Sequence, residues 1–219
     1  MPAAEAVRFA SRVVSKPGRA VSLWKAVSGW KAVRCPPGFP APEILHSVTL
    51  LPVVAGLGDD PFPPDIPCDA WIIDPALAGR AAGIPSGAVH LFPEAPCPTT
   101  MEAALDRVEA LAEWAESASG RRCSEGALER SLRAYGEREA RRQALLARAA
   151  AAPAFLGAGE LELLLRCGNF LPVESHARLL GQVVGGNLPA PPPAGGDPFL
   201  TVARRLARKP APGRDATSG

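Results

Sequence analysis

The sequence predicts an α/β protein: a small parallel Rossmann-like sheet with crossover helices, followed by a long helical cap. Three observations predict it. Apolar, β-prone runs of strand length recur at KAVRC (31–35), LPVVAGL (51–57), DAWIID (69–74) and GAVHLF (87–92). Helix-like or turn-rich stretches separate these runs, and strands that read as nearly continuous apolar runs suit a parallel sheet covered on both faces. From Thr99 the pattern changes to long amphipathic helices.

The elements follow in order. Residues 1–30 form an N-terminal helical segment carrying Arg8, Arg12, Lys16, Arg19 and Lys25 against one acid, Glu5. A solvated first helix is the favoured reading, and an organelle transit peptide is the competing one. Residues 31–98 form the α/β layer. Its first strand ends at Cys35, because Pro36, Pro37 and Pro40 fix φ and withhold backbone donors, leaving the thiol facing an irregular loop. Pro42 suits the first turn of a helix, and Glu43 beside it suits the positive end of the helix dipole. This strand, rigid loop and helix start lie at the carboxyl edge of the expected sheet, where ligands bind in open α/β folds. PALAGRAAGIP (75–85) fits a short crossover helix closed by Gly83, with Pro85 just beyond.

Residues 99–185 form the helical cap of the same domain. Met101, Ala104, Leu105, Val108, Leu111 and Ala112 share one face of the first cap helix, which ends at Gly120. Ser124 caps the next helix, and Leu128, Leu132, Tyr135, Leu145 and Leu146 carry it to about Ala150. Its arginines and glutamates at 130–148 read as a solvated face with i,i+4 pairs. Two shorter helices are expected at 159–167 and 173–184. Residues 186–219 read as a Pro/Gly-rich flexible tail with at most one short helix at 198–208.

The bulk composition narrows the function. With 219 residues, 47% of them hydrophobic, the chain can bury a substantial core. Its 24 basic and 22 acidic residues nearly cancel, so charge points to neither nucleic acid nor a membrane surface; a small molecule or another protein is the expected partner. The longest apolar run, Ile44–Leu57, is broken by His46 and Pro52 and falls short of the roughly 20 residues of a spanning helix. Without a secretory-type apolar segment, a cytoplasmic location is expected. The five cysteines, at 35, 68, 97, 123 and 167, are scattered and form no C-x-x-C pair. Reduced thiols are expected, and any metal site must gather ligands distant in sequence.

Four stretches in order carry a family resemblance, spanning Lys31 to Val184. KAVRCPPGFPAPEILHSVTLLPV resembles the N-terminal signature of 2-hydroxyacyl-CoA dehydratase and benzoyl-CoA reductase subunits. AGIPSGAVHLFPEAP is similar to the segment in which an IP pair precedes a strand and a proline-bounded loop. ALDRVEALAEWAESASGRRCSEGALERSLRAYGERE resembles that family's paired helices, and APAFLGAGELELLL its next helix. The resemblance implies a subunit that holds a [4Fe–4S] cluster through three cysteines, works beside a paralogous subunit, and acts on an acyl-CoA thioester. It also implies an ATP-dependent activator protein that supplies a low-potential electron, after which a radical acyl group loses water or accepts electrons. Carried over by residue, Cys68 in PDIPCDAWIID is the best-matched ligand, beside Asp69, and Cys35 is the weaker match. Cys97 matches no family ligand. The chain departs from the pattern by lacking a block around Cys68 and the second domain that brings a third cysteine, so the three-cysteine set is not completed within it.

Plainer readings stand beside these. Cys68 and Cys35 also suit buried structural thiols, as do Cys123 and Cys167. His46 reads as a hydrogen-bonded core or boundary histidine rather than a catalytic one, and Glu43 as a helix cap. His90 and His176 have no ligand partner at useful spacing. No P-loop or G-x-G-x-x-G occurs, which speaks against the activator role, and Ser86 in PSG lacks a G-x-S-x-G context. Two functions from different classes are therefore expected to compete. One is a component of an iron–sulfur enzyme acting on a CoA thioester, with Cys68 and Cys35 binding the cluster jointly with a partner. The other is a non-catalytic assembly or regulatory module that keeps the scaffold and binds no cluster. A third possibility is a fragment whose second half is encoded alongside.

Overall fold

In the computed structural model, which describes residues 3–54, 65–75, 88–92 and 100–185, the four apolar runs become strands of one sheet. They are β1 (Lys31–Cys35), β2 (Leu50–Val54), β3 (Ala70–Ile73) and β4 (Val89–Leu91). All neighbouring pairs are parallel and the order is β2-β1-β3-β4. Lys31 lies opposite Leu50 and Cys35 opposite Val54, while Val33 lies opposite Ala70. Pro52 is tolerated in β2 because that strand is at the edge, with one side free of ladder bonds.

Among the described residues, seven helices cover the sheet: α1 (Ala3–Ser15), α2 (Pro17–Ser28), α3 (Pro42–Ser47), α4 (Met101–Ser119), α5 (Glu125–Ala151), α6 (Ala158–Arg166) and α7 (Val173–Val184). Their ends follow local chemistry. Thr100 and Ser124 accept the backbone N–H of Ala103 and Ala127 at 3.2 Å, capping α4 and α5. Gly120 closes α4 at φ 72°, the left-handed region that a residue without Cβ enters at little cost. The N-terminal segment divides into two helices at Lys16, because Pro17 cannot donate into a continuing helix but fits the first turn of a new one.

Side-chain alternation divides the core. Val33, Cys35, Leu50, Ala70 and Ile72 face a cluster completed by Ile44 and Leu45 of α3, Leu111 and Ala115 of α4, and Leu128 of α5. Ala32, Leu51 and Val53 face the opposite cluster, with Ala6 and Ala10 of α1, Val21 of α2, Leu145 of α5 and Leu180 of α7. The helices after residue 100 are thus shared between both faces of the sheet, giving a three-layer arrangement. The face of α5 read as solvated also has a second duty: Arg141 pairs with Glu137 but donates to the Ala177 carbonyl at 2.7 Å, and Arg148 donates to that of Val184. The expected helix at 75–85 and the tail at 186–219 lie outside the described residues, as do residues 55–57 of the second run.

Thr49, between α3 and β2, has φ 62°, a conformation disfavoured for a β-branched residue. Thr49→Asn is expected to raise unfolding free energy by about 0.5–1 kcal/mol, since asparagine tolerates this region. Urea denaturation measures it, and an unchanged or lower midpoint would contradict it.

Candidate functional site

Cys35 ends β1 as expected, but its thiol does not face the loop. The side chain is only 1% exposed, belongs to the cluster beneath α3 and α4, and donates to the Val33 carbonyl at 3.6 Å. Strand alternation is the reason, because position 35 shares the inward face of Val33. Burial pushes this thiol far above its ordinary range, and charge on Cys68 would push it further. It is therefore held as a neutral thiol.

Cys68 lies at the opposite end of the sheet. It precedes β3 by two residues, at the amino edge rather than the carboxyl edge where α/β folds place ligands. The residue is half-buried, and it packs against the cluster containing Ala32, Leu51 and Val53, across the sheet from the cluster of Cys35. Burial pushes its thiol up to about 11, with Arg34 and Lys25 drawing it down and Asp69 raising it. The neighbouring Asp69 has a structural task. Its Oδ2 accepts the Ala32 N–H at 2.7 Å, its own N–H donates to the Ala32 carbonyl at 2.8 Å, and Lys25 Nζ lies 2.8 Å from the carboxylate. This clamp fixes the start of β3 against β1 and α2.

An iron–sulfur cluster needs thiolates converging on one small volume. Cys35 and Cys68 do not fit that requirement together: one is a sealed thiol under α3, and the other packs into the core on the far side of the sheet. Cys97 lies outside the described residues. Cys123 is buried with Sγ 3.2 Å from Ser47 Oγ, and Cys167 is buried with its thiol pushed up to about 12 by desolvation. Among the described residues, no three His, Cys, Asp or Glu side chains gather as a metal site would.

The most organised polar cluster was not legible in the sequence. Ser131 of α5 donates to the Glu43 carbonyl at 2.7 Å, so its oxygen can accept only from His46 Nδ1, 2.9 Å away. His46 Nε2 then faces Glu174 Oε1 of α7 at 3.0 Å. The contact is not an aligned hydrogen bond, so Nε2 has a carboxylate neighbour without a well-directed partner. Its influence holds the Glu174 carboxyl below the usual range, against partial burial. Trp30 and Tyr135 place their rings 5.3 and 5.8 Å from the imidazole. Serine, histidine and carboxylate in line invite a hydrolase reading. Ser131 is 1% exposed and its proton is committed to a carbonyl, so no substrate reaches a nucleophile here. The cluster fastens α3 to α5 and α7, which bears out the reading of His46 as a hydrogen-bonded histidine. Ser131 and Glu174 gave no local signal because they stand far from His46 in the chain.

His176 of α7 donates from Nε2 to the Leu164 carbonyl at 2.9 Å. A Cβ at Gly168 would come within 2.2 Å of its Nδ1, so only glycine permits this seating. His90 lies 5.2 Å from the Trp114 ring, and burial lowers its affinity for a proton.

No family model and no curated protein matches the sequence. Among the described residues, no helix is long and apolar enough to cross a membrane.

Burial lowers the His176 pKa from 6.5 to about 4. Between those values the unfolded chain binds a proton that the folded chain refuses, so stability falls as pH drops through the window. The loss is expected to be on the order of 3 kcal/mol. His176→Gln retains a donor toward Leu164 and removes the titration, so it should flatten the slope of urea midpoints between pH 6.5 and 4. An undiminished slope would contradict the assignment.

Proposed function

We propose that this chain is a non-catalytic assembly or regulatory module, which keeps an α/β scaffold resembling 2-hydroxyacyl-CoA dehydratase and benzoyl-CoA reductase subunits and organises a partner protein rather than a cluster of its own. The observation that supports this reading is the disposition of the two candidate ligands. Cys35 is 1% exposed on one side of the sheet, and Cys68 packs against the other. Bringing both sulfurs onto one iron centre would require Cys35 to leave the core it shares with Val33. The polar groups of the His46 cluster and the Asp69 clamp are spent on joining elements, in keeping with a structural role.

A second reading has a specific observation in its favour. Cys68 is half-buried, and although burial pushes its thiol up to about 11, two cations, Arg34 and Lys25, oppose that shift. In that reading Cys68 alone supplies one thiolate to a cluster shared with a paralogous subunit, which brings the acyl-CoA thioester and the ATP-dependent activator. Cys35 has no place in it.

Anaerobic purification of the chain, alone and with a co-expressed paralogous subunit, followed by iron analysis and visible absorption, separates the two. The module reading predicts iron far below one cluster per chain and no change in Cys68→Ser. Stoichiometric iron lost in Cys68→Ser, with the fold intact by circular dichroism, would overturn it in favour of the shared site.

A further inference from the structure

The elbow where α1 meets α2 forms a cleft of about 440 Å³. Buried Val13 and Leu171 and half-buried Phe9 and Trp24 make its floor. Arg12, Lys16 and Arg19 stand exposed around it, and none of them forms an ion pair with a described residue. From the cleft an apolar stripe continues along α2 through Ala20, Leu23, Trp24 and Val27, at i, i+3, i+4 and i+7. A helix ordinarily turns such a stripe toward the core. Here Leu23 is 62% and Val27 72% exposed.

We propose that this face docks an acidic amphipathic helix of a partner protein, its apolar ridge entering the elbow and running along the α2 stripe, its acids meeting Arg12, Lys16 and Arg19. The inference deepens the assembly-module reading, and the identity of the partner rests on it. A cleft of this size that opens into a linear stripe suits a helix laid in a groove. Charge selects the occupant. Over α1 and α2 the only acid is Glu5, Lys25 is already paired with Asp69, and Asp65, whose backbone packs against Gly18, forms no ion pair with Arg12, Lys16 or Arg19, so among the described residues these three cations remain available to an anionic partner. The chain's own 186–219 segment carries Arg204, Arg205, Arg208 and Lys209 and would bring like charge to the site. A second copy pairing through the same face would set the three cations against their own images. A flat anionic bilayer would reach the exposed stripe but not the concave floor.

The test is fluorescence anisotropy with a labelled synthetic helical peptide of about five turns, leucine at i, i+3, i+4 and i+7 and glutamate elsewhere, titrated with the full chain. Binding is expected to weaken with salt and to fall at least about tenfold in the triple variant Arg12→Glu, Lys16→Glu, Arg19→Glu, and likewise in Leu23→Asp. These side chains are exposed, and circular dichroism checks that each variant folds. Equal binding of the counterpart with lysine for glutamate, or no loss in the variants, would overturn the proposal. So would binding to phosphatidylglycerol vesicles without binding to the peptide, or self-association that Leu23→Asp abolishes. Peptide binding in a chain that also carries stoichiometric iron through Cys68 would sink the module reading and leave the docking face standing. Failure to bind in an iron-free chain would do the reverse.

Discussion

The structure depends on a single constraint: β1 is covered on both faces, so Ala32, Val33 and Cys35 along it are each committed to one core or the other. Ala32, Val33 and Cys35 are each at most 1% exposed. A parallel sheet needs crossover connections, and crossovers place helices on its faces. Once α3 and α4 cover one side and α1, α6 and α7 the other, a slip of one residue in β1 would exchange two cores at once. Burying a side chain such as that of Val33 contributes roughly 1.5–3 kcal/mol, so such a slip would cost a substantial part of the stability of an ordinary domain. The position of Cys35 is a consequence of that commitment rather than of any chemistry of sulfur.

The same economy governs the buried polar groups. His46, Ser131 and Glu174 join three helices; Asp69 and Lys25 join two strands to α2; Arg141 and Arg148 reach the carbonyls of Ala177 and Val184 on α7. Each has a partner on a different element; Ser131 is buried and His46 nearly so, and removing one of that pair leaves the other unsatisfied. Such links tie the layers together without presenting a reactive atom to solvent. Among the described residues, two of the three exposed large apolar side chains, Leu23 and Val27, instead lie on α2, beside Arg12, Lys16 and Arg19.

Much of the fold was legible because it is local. KAVRC matched β1 to the residue, 173–184 matched α7, and Gly120 and Ser124 mark helix ends by cap chemistry that acts within three residues. The parallel sheet followed from strands lacking a polar alternation. What escaped was non-local. The division of the N-terminal segment at Pro17 went unread, and so did the direction in which α2 turns its stripe, because that depends on which neighbours cover it. Proline after Cys35 correctly ended the strand, but the loop chemistry hid the stronger rule that position 35 shares a face with Val33. Pairings such as His46 with Ser131 and Glu174 arise only when α3, α5 and α7 meet, and no spacing in the chain encodes them.

The separation of the two thiols is best tested by pulsed alkylation of the native chain at mildly alkaline pH, with mass spectrometry reading Cys35 and Cys68 individually. Cys35 should be labelled no faster than the chain globally unfolds, and Cys68 faster by about tenfold or more, as its half-buried position at the amino edge allows. Labelling of Cys35 in step with Cys68, or protection of both together by added iron and sulfide, would place the two sulfurs on one accessible site and contradict the account.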